Sequence, residues 1–190
     1  MPGRTATELI LIRHAPTAGM GHLHGRTDVG ADLSDGAALA ALRDRLPRPD
    51  RLITSPARRC RETARAIWHM TPDADPRLWE QDFGDWEGKP YADLPDLGPL
   101  DPAALARHRP PGGESFEDIC ARIHPALIEF AQAGPATLLA HAGTVRAALA
   151  LALGAIPPAL AFDVAPLSVT RLVRHATGWQ IGGVNERVAG

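Results

Sequence analysis

The sequence of 190 residues is poor in lysine, cysteine and aromatic residues. The two cysteines, Cys60 and Cys120, form no C-x-x-C pair, which argues against a zinc ribbon or a disulfide framework, and we expect both to be small core residues. Lys89 is the only lysine among 20 Lys+Arg. The positive charge is therefore almost entirely guanidinium, a group that is always ionised and binds planar anions through paired hydrogen bonds.

A strong charge excess and a long apolar run are also missing. The formal net charge of -2 gives no reason to expect nucleic acid or an anionic membrane as a partner. The apolar run at 9–12 is too short for a signal peptide or a membrane span, and the stretch 145–162 is interrupted by Arg146 and two prolines. These features predict a cytoplasmic protein without a membrane partner.

Hydrophobic residues make up 45% of the chain and charged residues 22%, which suffices for one globular domain over residues 1–190. Short apolar runs predict strands at 8–12, 51–54, 136–140, 168–174 and 178–184. Helical periodicity is found at 34–46, 56–70, 114–133 and 144–153. This alternation predicts an α/β fold whose mainly parallel sheet is covered on both faces, with the last two strands as an antiparallel edge.

Local signals predict where these helices begin. Ser34, Ser55 and Thr144 are expected to be caps or first-turn residues, and Ser115 has the position of an ordinary helix start. The proline- and glycine-rich stretch 84–113 has only a helical hint at 102–108 and predicts an irregular excursion. Long loops on a rigid scaffold often form binding surfaces.

Two histidines directly follow apolar strands. The segments LILIRHA and ATLLAHAG each lead from a buried run into His14 or His141 and then alanine, and Arg13 precedes the first histidine. The carboxyl ends of parallel strands form one rim, where ligands bind. Each histidine alone could be an ordinary strand-end residue, but together with Arg13 they indicate a shared site.

The helix after the second strand contains four closely spaced arginines. At 100° per residue, Arg59 and Thr63 share one side, whereas Arg58 and Arg65 point elsewhere. We expect one arginine of the first turn to reach across the rim and the others to be solvated.

Two histidines and two arginines around a pocket suit a phosphoryl group, because guanidiniums bind its oxygens and a neutral imidazole can attack its phosphorus. An acid for the leaving oxygen is also needed. The segment LWEQDFGDWEG contains four candidates, and their spacing does not choose among Glu80, Asp82, Asp85 and Glu87.

Together these segments resemble the histidine phosphatase superfamily in its phosphoglycerate mutase-like branch. The resemblance runs in register from residue 8 to about 150. The matching segments are RHA at 13–15, SPARRCRET at 55–63, LWEQDFGDWEG at 78–88 and AHAGTVR at 140–146.

The resemblance implies a three-layer α/β/α sandwich and an active site without a metal or cofactor. In this family picture His14 becomes phosphorylated while Arg13, Arg59 and His141 hold the phosphoryl oxygens. Glu80 protonates the leaving group and then helps to activate water.

Some positions depart from the family pattern. Ala15 replaces the usual glycine, and the sequence leaves open whether its methyl group packs in the core or narrows the phosphate pocket slightly. The family's mutases have an asparagine shortly after the nucleophile, and here Thr17 or His24 is the candidate for that role. Gly25, in the GRTD segment, is a further candidate substrate contact.

The mutases of the family that this sequence resembles usually carry a longer insertion with arginines for a substrate carboxylate, whereas the 84–113 excursion offers only Arg107 and Arg109. The resemblance therefore favours hydrolysis over mutase-type phosphoryl transfer. The segments GRTD, FGDWEG and RPPGGESF resemble alpha-ribazole phosphatases of cobalamin lower-ligand assembly, which makes alpha-ribazole 5'-phosphate the first candidate substrate. We expect a monomer or homodimer whose partner is a small phosphorylated metabolite.

Two other functional classes remain open at this point. The residues HLH at 22–24, together with Asp28 and His141, have the ligand types of a metallohydrolase, although the arginines beside His14 would repel a cation. A non-catalytic protein that binds a phosphorylated ligand is the other alternative.

Overall fold

The computed structural model describes residues 6–187 and contains a six-stranded sheet in the order β3-β2-β4-β1-β5-β6. The strands are β1 (Thr7–Arg13), β2 (Leu52–Thr54), β3 (Asp73–Ala74), β4 (Ala136–Ala140), β5 (Val169–His175) and β6 (Gly178–Glu186). The first four are parallel to one another, whereas β5 is antiparallel to β1 and to β6. The mainly parallel sheet with an antiparallel edge is thus confirmed. Strand β3 was not predicted, because its two residues are exposed and form no apolar run.

Helices cover both faces of this sheet, as the three-layer sandwich requires. They are α1 (Gly36–Arg45), α2 (Arg58–Trp68), α3 (Pro102–Arg107), α4 (Phe116–Gln132) and α5 (Ala142–Leu153). Successive residues of a strand point to opposite faces. Leu11 accordingly packs in the cluster that holds α4 and α5, and Ile12 packs in the cluster that holds α1 and α2. Cys60 and Cys120 are buried in these clusters as unpaired thiols.

The helix starts agree with the predictions only in part. Helix α1 is capped by Asp35 and not by Ser34. Ala57 is the N-cap residue of α2, and its amide donates to the Ser55 hydroxyl (3.2 Å) just before the helix begins. Thr144 lies in the first turn of α5. Ser115 caps α4 in a reciprocal capping box, which confirms its role as a helix start.

The predicted irregular excursion contains α3 and two short 3-10 turns, Gly84–Trp86 and Tyr91–Asp93. Between residues 6 and 187, no helix has both the length and the apolar character needed to cross a membrane. The predicted domain bounds of 1–190 include residues 1–5 and 188–190, which lie outside the described part of the chain.

Candidate active site

The two histidines come together because β1 and β4 are neighbouring parallel strands. Arg13 is paired with Ala140, and the His14 amide donates to the Ala140 carbonyl (3.0 Å), so both chains leave the sheet at the same level. The rings of His14 and His141 lie edge to face with centroids 5.2 Å apart. His14 retains 5% of its surface exposure and His141 none.

The hydrogen bonds of His14 define which ring nitrogen is unprotonated. A carbonyl can only accept, so Nδ1 carries the proton that it donates to the Ala15 carbonyl (2.6 Å). Nε2 therefore accepts from the Arg59 Nε group at 3.3 Å. Burial, with the positive charges of Arg59 and Arg13, lowers the pKa of His14 to about 3. The ring is neutral near pH 7, and Nε2 can act as a nucleophile.

Arg59 is the arginine of the α2 first turn that crosses the rim, and it is fully buried. Its terminal nitrogens donate to the Thr27 carbonyl (3.0 Å), the Gly25 carbonyl (2.7 Å) and His141 Nδ1 (3.2 Å). Arg58 and Arg61 are exposed, as expected for solvated charges. One guanidinium therefore contacts both imidazoles of the site.

His141 is held from both sides. Its Nδ1 accepts from Arg59, so Nε2 carries the proton and donates to the Ser55 hydroxyl at 2.8 Å. Burial first, and then the Arg59 charge, keep the pKa of His141 well below its ordinary value. The ring is a neutral hydrogen-bonding group behind His14.

Of the two alternatives for Ala15, the structure supports packing in the core. Its side chain is buried in the cluster of α1 and α2, and it does not line the cavity in front of His14. Its amide donates to the Thr63 hydroxyl (3.1 Å), one helical turn after Arg59. The methyl group thus belongs to the core that anchors the end of β1.

A cavity of about 310 Å³ opens in front of His14. Arg13 and Glu80 line it beside His14, and Thr17 and His24 line it further out. Gly25 does not line it, because its carbonyl and amide are engaged by Arg59 and Glu87 within the protein. Arg59 and His141 also lie behind His14 rather than on the cavity wall. The contacts predicted for Thr17, His24 and Gly25 with a substrate stay predictions.

Of the four candidate acids, Glu80 alone lines this cavity. Its two carboxylate oxygens accept from the amides of Gln81 (3.0 Å) and Gly143 (3.2 Å). Asp82 instead accepts from the Gly84 amide, and Asp85 is exposed. The tertiary structure thus selects Glu80 among the four carboxylates, which their spacing in the sequence could not do.

Glu87 has a different place, which the sequence did not reveal. Its carboxylate accepts from the amides of Gly25 (3.1 Å), Arg26 (2.8 Å), Thr27 (3.0 Å) and Phe83 (3.1 Å), and from the Thr27 hydroxyl (2.6 Å). These hydrogen bonds lower its pKa despite the opposing effect of burial. Glu87 thereby orients the 25–27 segment, whose carbonyls hold Arg59.

Arg122 and Glu114, which the sequence did not reveal either, hold the backbone around Glu80. Arg122 donates to the Trp79 carbonyl (2.9 Å) and to the Glu114 carboxylate (2.8 Å), and Glu114 accepts from the Asp82 amide (3.0 Å). Trp79 and Asp82 lie on either side of Glu80 in the sequence, so these hydrogen bonds hold the backbone before and after it. Neither Arg122 nor Glu114 belongs to a segment to which a catalytic role was assigned, so only the packing of α4 against this loop identifies them.

Arg13 and Arg146 both line the cavity and are tethered to one extended segment. Arg13 donates to the Val164 carbonyl, and Arg146 donates to the Phe162 carbonyl at 3.0 Å. Burial lowers the pKa of Arg13, which Glu80 opposes and Arg146 reinforces. The Nε atom of Arg13 is buried without a hydrogen-bond partner among the described residues. An anion in the cavity would compensate this unpaired, positively charged group.

The alternative metal site is not assembled in the described part of the chain. His22 and His24 stack on each other at the cavity mouth, whereas His141 is bonded to Ser55 and Arg59 behind His14. No three His, Cys, Asp or Glu side chains of residues 6–187 are grouped so that they could hold a metal ion.

Comparison with known proteins agrees with this geometry. The model of the histidine phosphatase superfamily (branch 1) matches residues 9–187. The bifunctional protein Rv2228c of Mycobacterium tuberculosis is 28% identical over 186 residues, which cover 87% of this chain and 50% of the relative. The chain thus spans about half the length of the curated relatives that it matches first.

Two solved structures show the same fold. Mycobacterial glucosyl-3-phosphoglycerate phosphatase Rv2419c superposes with a TM-score of 0.83 at 24% identity, covering 96% of this chain and all of that one (100%). Alpha-ribazole phosphatase from Shigella flexneri gives a TM-score of 0.80 at 21% identity and covers 96% and 98%. The chain belongs to the histidine phosphatase superfamily, branch 1.

Proposed function

We propose that the protein hydrolyses a small phosphorylated metabolite through a phosphohistidine on His14. The observation that carries the proposal is the neutral His14 ring, whose unprotonated Nε2 accepts from Arg59 and which lines the same cavity as Glu80. In the first step Nε2 attacks phosphorus and the bond from phosphorus to the ester oxygen breaks. The Glu80 carboxyl group donates its proton to that oxygen, and the alcohol leaves.

The second step returns the enzyme to its starting state. The Glu80 carboxylate accepts a proton from water, the water oxygen attacks phosphorus, and the phosphorus–nitrogen bond breaks to release phosphate and His14. Arg13 and Arg59 stabilise the negative charge of the equatorial oxygens in both transition states. Arg59 exchanges its hydrogen bond to Nε2 for one to phosphate, and His141 keeps its guanidinium in place.

Alpha-ribazole 5'-phosphate is the first substrate that we propose. Support comes from the GRTD, FGDWEG and RPPGGESF segments and from a cavity of about 310 Å³, which suits a small metabolite. A structural neighbour with the name of an alpha-ribazole phosphatase is consistent with this choice. Glucosyl-3-phosphoglycerate, from the name of the other neighbour, is the competing substrate.

Rapid quenching during turnover of a ³²P-labelled substrate tests the intermediate. We expect acid-labile, alkali-stable label on the wild-type protein and none on His14→Ala, which should also lose hydrolysis. His175→Ala is the matched control, because His175 is exposed at the end of β5. Normal turnover by His14→Ala would refute the covalent mechanism, and label recovered as an isomeric phosphate ester instead of inorganic phosphate would indicate mutase-type transfer.

The acid role of Glu80 has a separate signature. Glu80→Gln cannot protonate a leaving group, so kcat/KM for an alkyl phosphate, which reports the steps up to departure of the alcohol, should fall about 100-fold or more, within the usual range of general acid catalysis. 4-Nitrophenyl phosphate, whose leaving group needs little protonation, should lose much less. Equal losses for the two esters would assign the acid to another residue. Asp85→Asn controls for the lost charge, because Asp85 is exposed on the same loop.

A further inference from the structure

The mouth of the cavity is formed by two loops that pair with each other. Residues 21–23 run beside residues 88–91, and His22 forms an antiparallel bridge with Pro90. Three backbone hydrogen bonds join them: Leu23 N to Lys89 O (2.9 Å), Gly88 N to Leu23 O (2.8 Å) and Tyr91 N to Gly21 O (2.9 Å). We call this pair of segments the rim ribbon. Because backbone hydrogen bonds join the two segments, the side chains of the rim ribbon have defined positions, unlike those of an unpaired loop.

The rim ribbon presents rings to the cavity. Tyr91 lines the cavity while 57% of its surface remains exposed. His22 and His24 are two positions apart in an extended segment and therefore share one side. Their rings are nearly parallel (21°), with centroids 6.1 Å apart. Tyr91 and the two stacked imidazoles line the same cavity, and accessible rings of this kind offer a surface on which another planar group can stack.

The chemistry of the cavity changes from its inner end to its mouth. The half-buried Arg13 and the buried His14 and Glu80 form the polar inner end that takes the phosphoryl group. Phe83 also lines the wall, with the rings of the rim ribbon further out. A ligand that matches this gradient carries an anion at one end and a flat apolar group at the other.

We propose that the rim ribbon is a subsite for a planar ring in the leaving group, so that the substrates are phosphate monoesters of alcohols that carry an aromatic or heteroaromatic ring. This inference rests on the proposed phosphatase activity and narrows its substrate class. The ring stacks on Tyr91 and on the His22–His24 pair while the phosphate reaches His14. Binding energy from the ring holds the ester in line with Nε2.

The test compares benzyl phosphate with cyclohexylmethyl phosphate. Both are esters of primary alcohols of similar acidity and size, so the chemical step is matched and only planarity differs. Aromatic stacking on a protein ring is worth about 1–3 kcal/mol, so we expect kcat/KM of the wild-type enzyme to favour the benzyl ester by about tenfold. In Tyr91→Ala this ratio should fall towards one, mainly through a higher KM for benzyl phosphate.

Leu153→Ala is the control variant, because Leu153 is an exposed leucine (42%) at the end of α5 that does not line the cavity, and it should retain the wild-type ratio. A wild-type ratio near one, with measurable turnover of both esters, would overturn the planar-ring subsite and leave the phosphatase mechanism standing. An unchanged preference in both Tyr91→Ala and His22→Ala would also overturn it. If neither ester were hydrolysed, the proposed phosphatase function itself would be refuted.

Discussion

At the scale of single residues, the site depends on two imidazoles that remain neutral inside the protein. Burial is the largest cause that lowers the pKa of His14 and of His141, and Arg59 is the next for both. In an unfolded chain each ring would have an ordinary pKa of about 6.5. At acidic pH the folded protein therefore binds fewer protons than the unfolded chain does. Keeping these imidazoles neutral thus lowers the free energy of unfolding in acid.

This cost predicts a specific pH dependence of unfolding. The unfolded state takes up protons below about pH 6.5, whereas folded His14 does not until about pH 3, so the free energy of unfolding falls as the pH decreases through this window. Each neutral imidazole contributes a slope of about 1.4 kcal/mol per pH unit. Urea unfolding at pH 7, 6, 5 and 4 should show a slope shallower by about that amount in His14→Gln than in the wild type.

Carboxylates also lose stabilising interactions in acid, so the comparison needs a histidine control. His175→Gln serves, because His175 is exposed and bonds only to Gln180 among the described residues. Its unfolding curves should parallel those of the wild type. If His14→Gln kept the full wild-type slope, the folded protein would already protonate His14 near pH 6, and the ring would not be the neutral nucleophile described above.

At the scale of elements, rigid strands deliver the reacting groups while loops orient them. Strand β1 and helix α2 supply His14 and Arg59, but the direction of the Arg59 guanidinium is set by the carbonyls of Gly25 and Thr27. Those carbonyls are oriented by Glu87 from the 3-10 turn region. A side chain at Gly25 would collide with the Gln81 carbonyl and with Phe83, so these two loops are in close contact.

Glu87 is thus predicted to act on catalysis through Arg59. In Glu87→Gln one oxygen becomes an amide donor facing backbone amides, which should loosen the 25–27 segment and move Arg59. Loss of a transition-state donor costs roughly 100- to 1000-fold, so a displaced Arg59 should lower kcat by about tenfold or more. The measurement is kcat and KM for 4-nitrophenyl phosphate, together with inhibition by orthovanadate, which mimics the transition state and should weaken in parallel with kcat.

Two comparisons separate positioning from general destabilisation. Asp85→Asn changes an exposed carboxylate two residues away and should retain wild-type kcat. In an Arg59→Ala background, the Glu87→Gln change should have little further effect on kcat, because its route to the reaction is already removed. Additive losses in the double variant would show that Glu87 does not act through Arg59.

At the scale of the whole molecule, the sandwich brings four segments together at the rim formed by the carboxyl ends of the parallel strands. These segments are 13–15, 55–63, 78–88 and 140–146. The cations there are arginines, and the carboxylate on the cavity wall is held by two backbone amides. In the proposed mechanism, guanidiniums stabilise the charge of the phosphoryl-transfer transition state, a role that metal ions take in other phosphoryl-transfer enzymes.

We accordingly predict activity that does not depend on a metal. Exhaustive chelation followed by removal of the chelator should leave phosphatase activity unchanged within assay error, and elemental analysis should find less than one bound transition-metal ion per chain. Added Zn²⁺ or Mn²⁺ should not increase kcat. Loss of activity upon chelation with recovery upon addition of one metal would revive the metallohydrolase alternative.

Much of the fold was predictable from the sequence, because its signals are local. The apolar runs before His14 and His141 identify buried parallel strands, and a strand end followed by a histidine is visible without any tertiary contact. Strand β3 and the Asp35 cap were missed. Two exposed residues have no hydrophobic pattern, and neighbouring Ser34 and Asp35 are both good caps, so the choice depends on backbone geometry.

By itself, the sequence determined the family, the layered α/β architecture and the segments that meet at the candidate site, because these follow from residue type at short spacing. The tertiary structure decided the rest: that Glu80 lines the cavity while Glu87 braces the Arg59 loop, that the Ala15 methyl packs in the core, and that Tyr91 reaches the mouth. Each of these positions depends on which segments of the chain meet at the rim of the sheet. Contacts between residues far apart in the chain leave no local pattern from which they could be read.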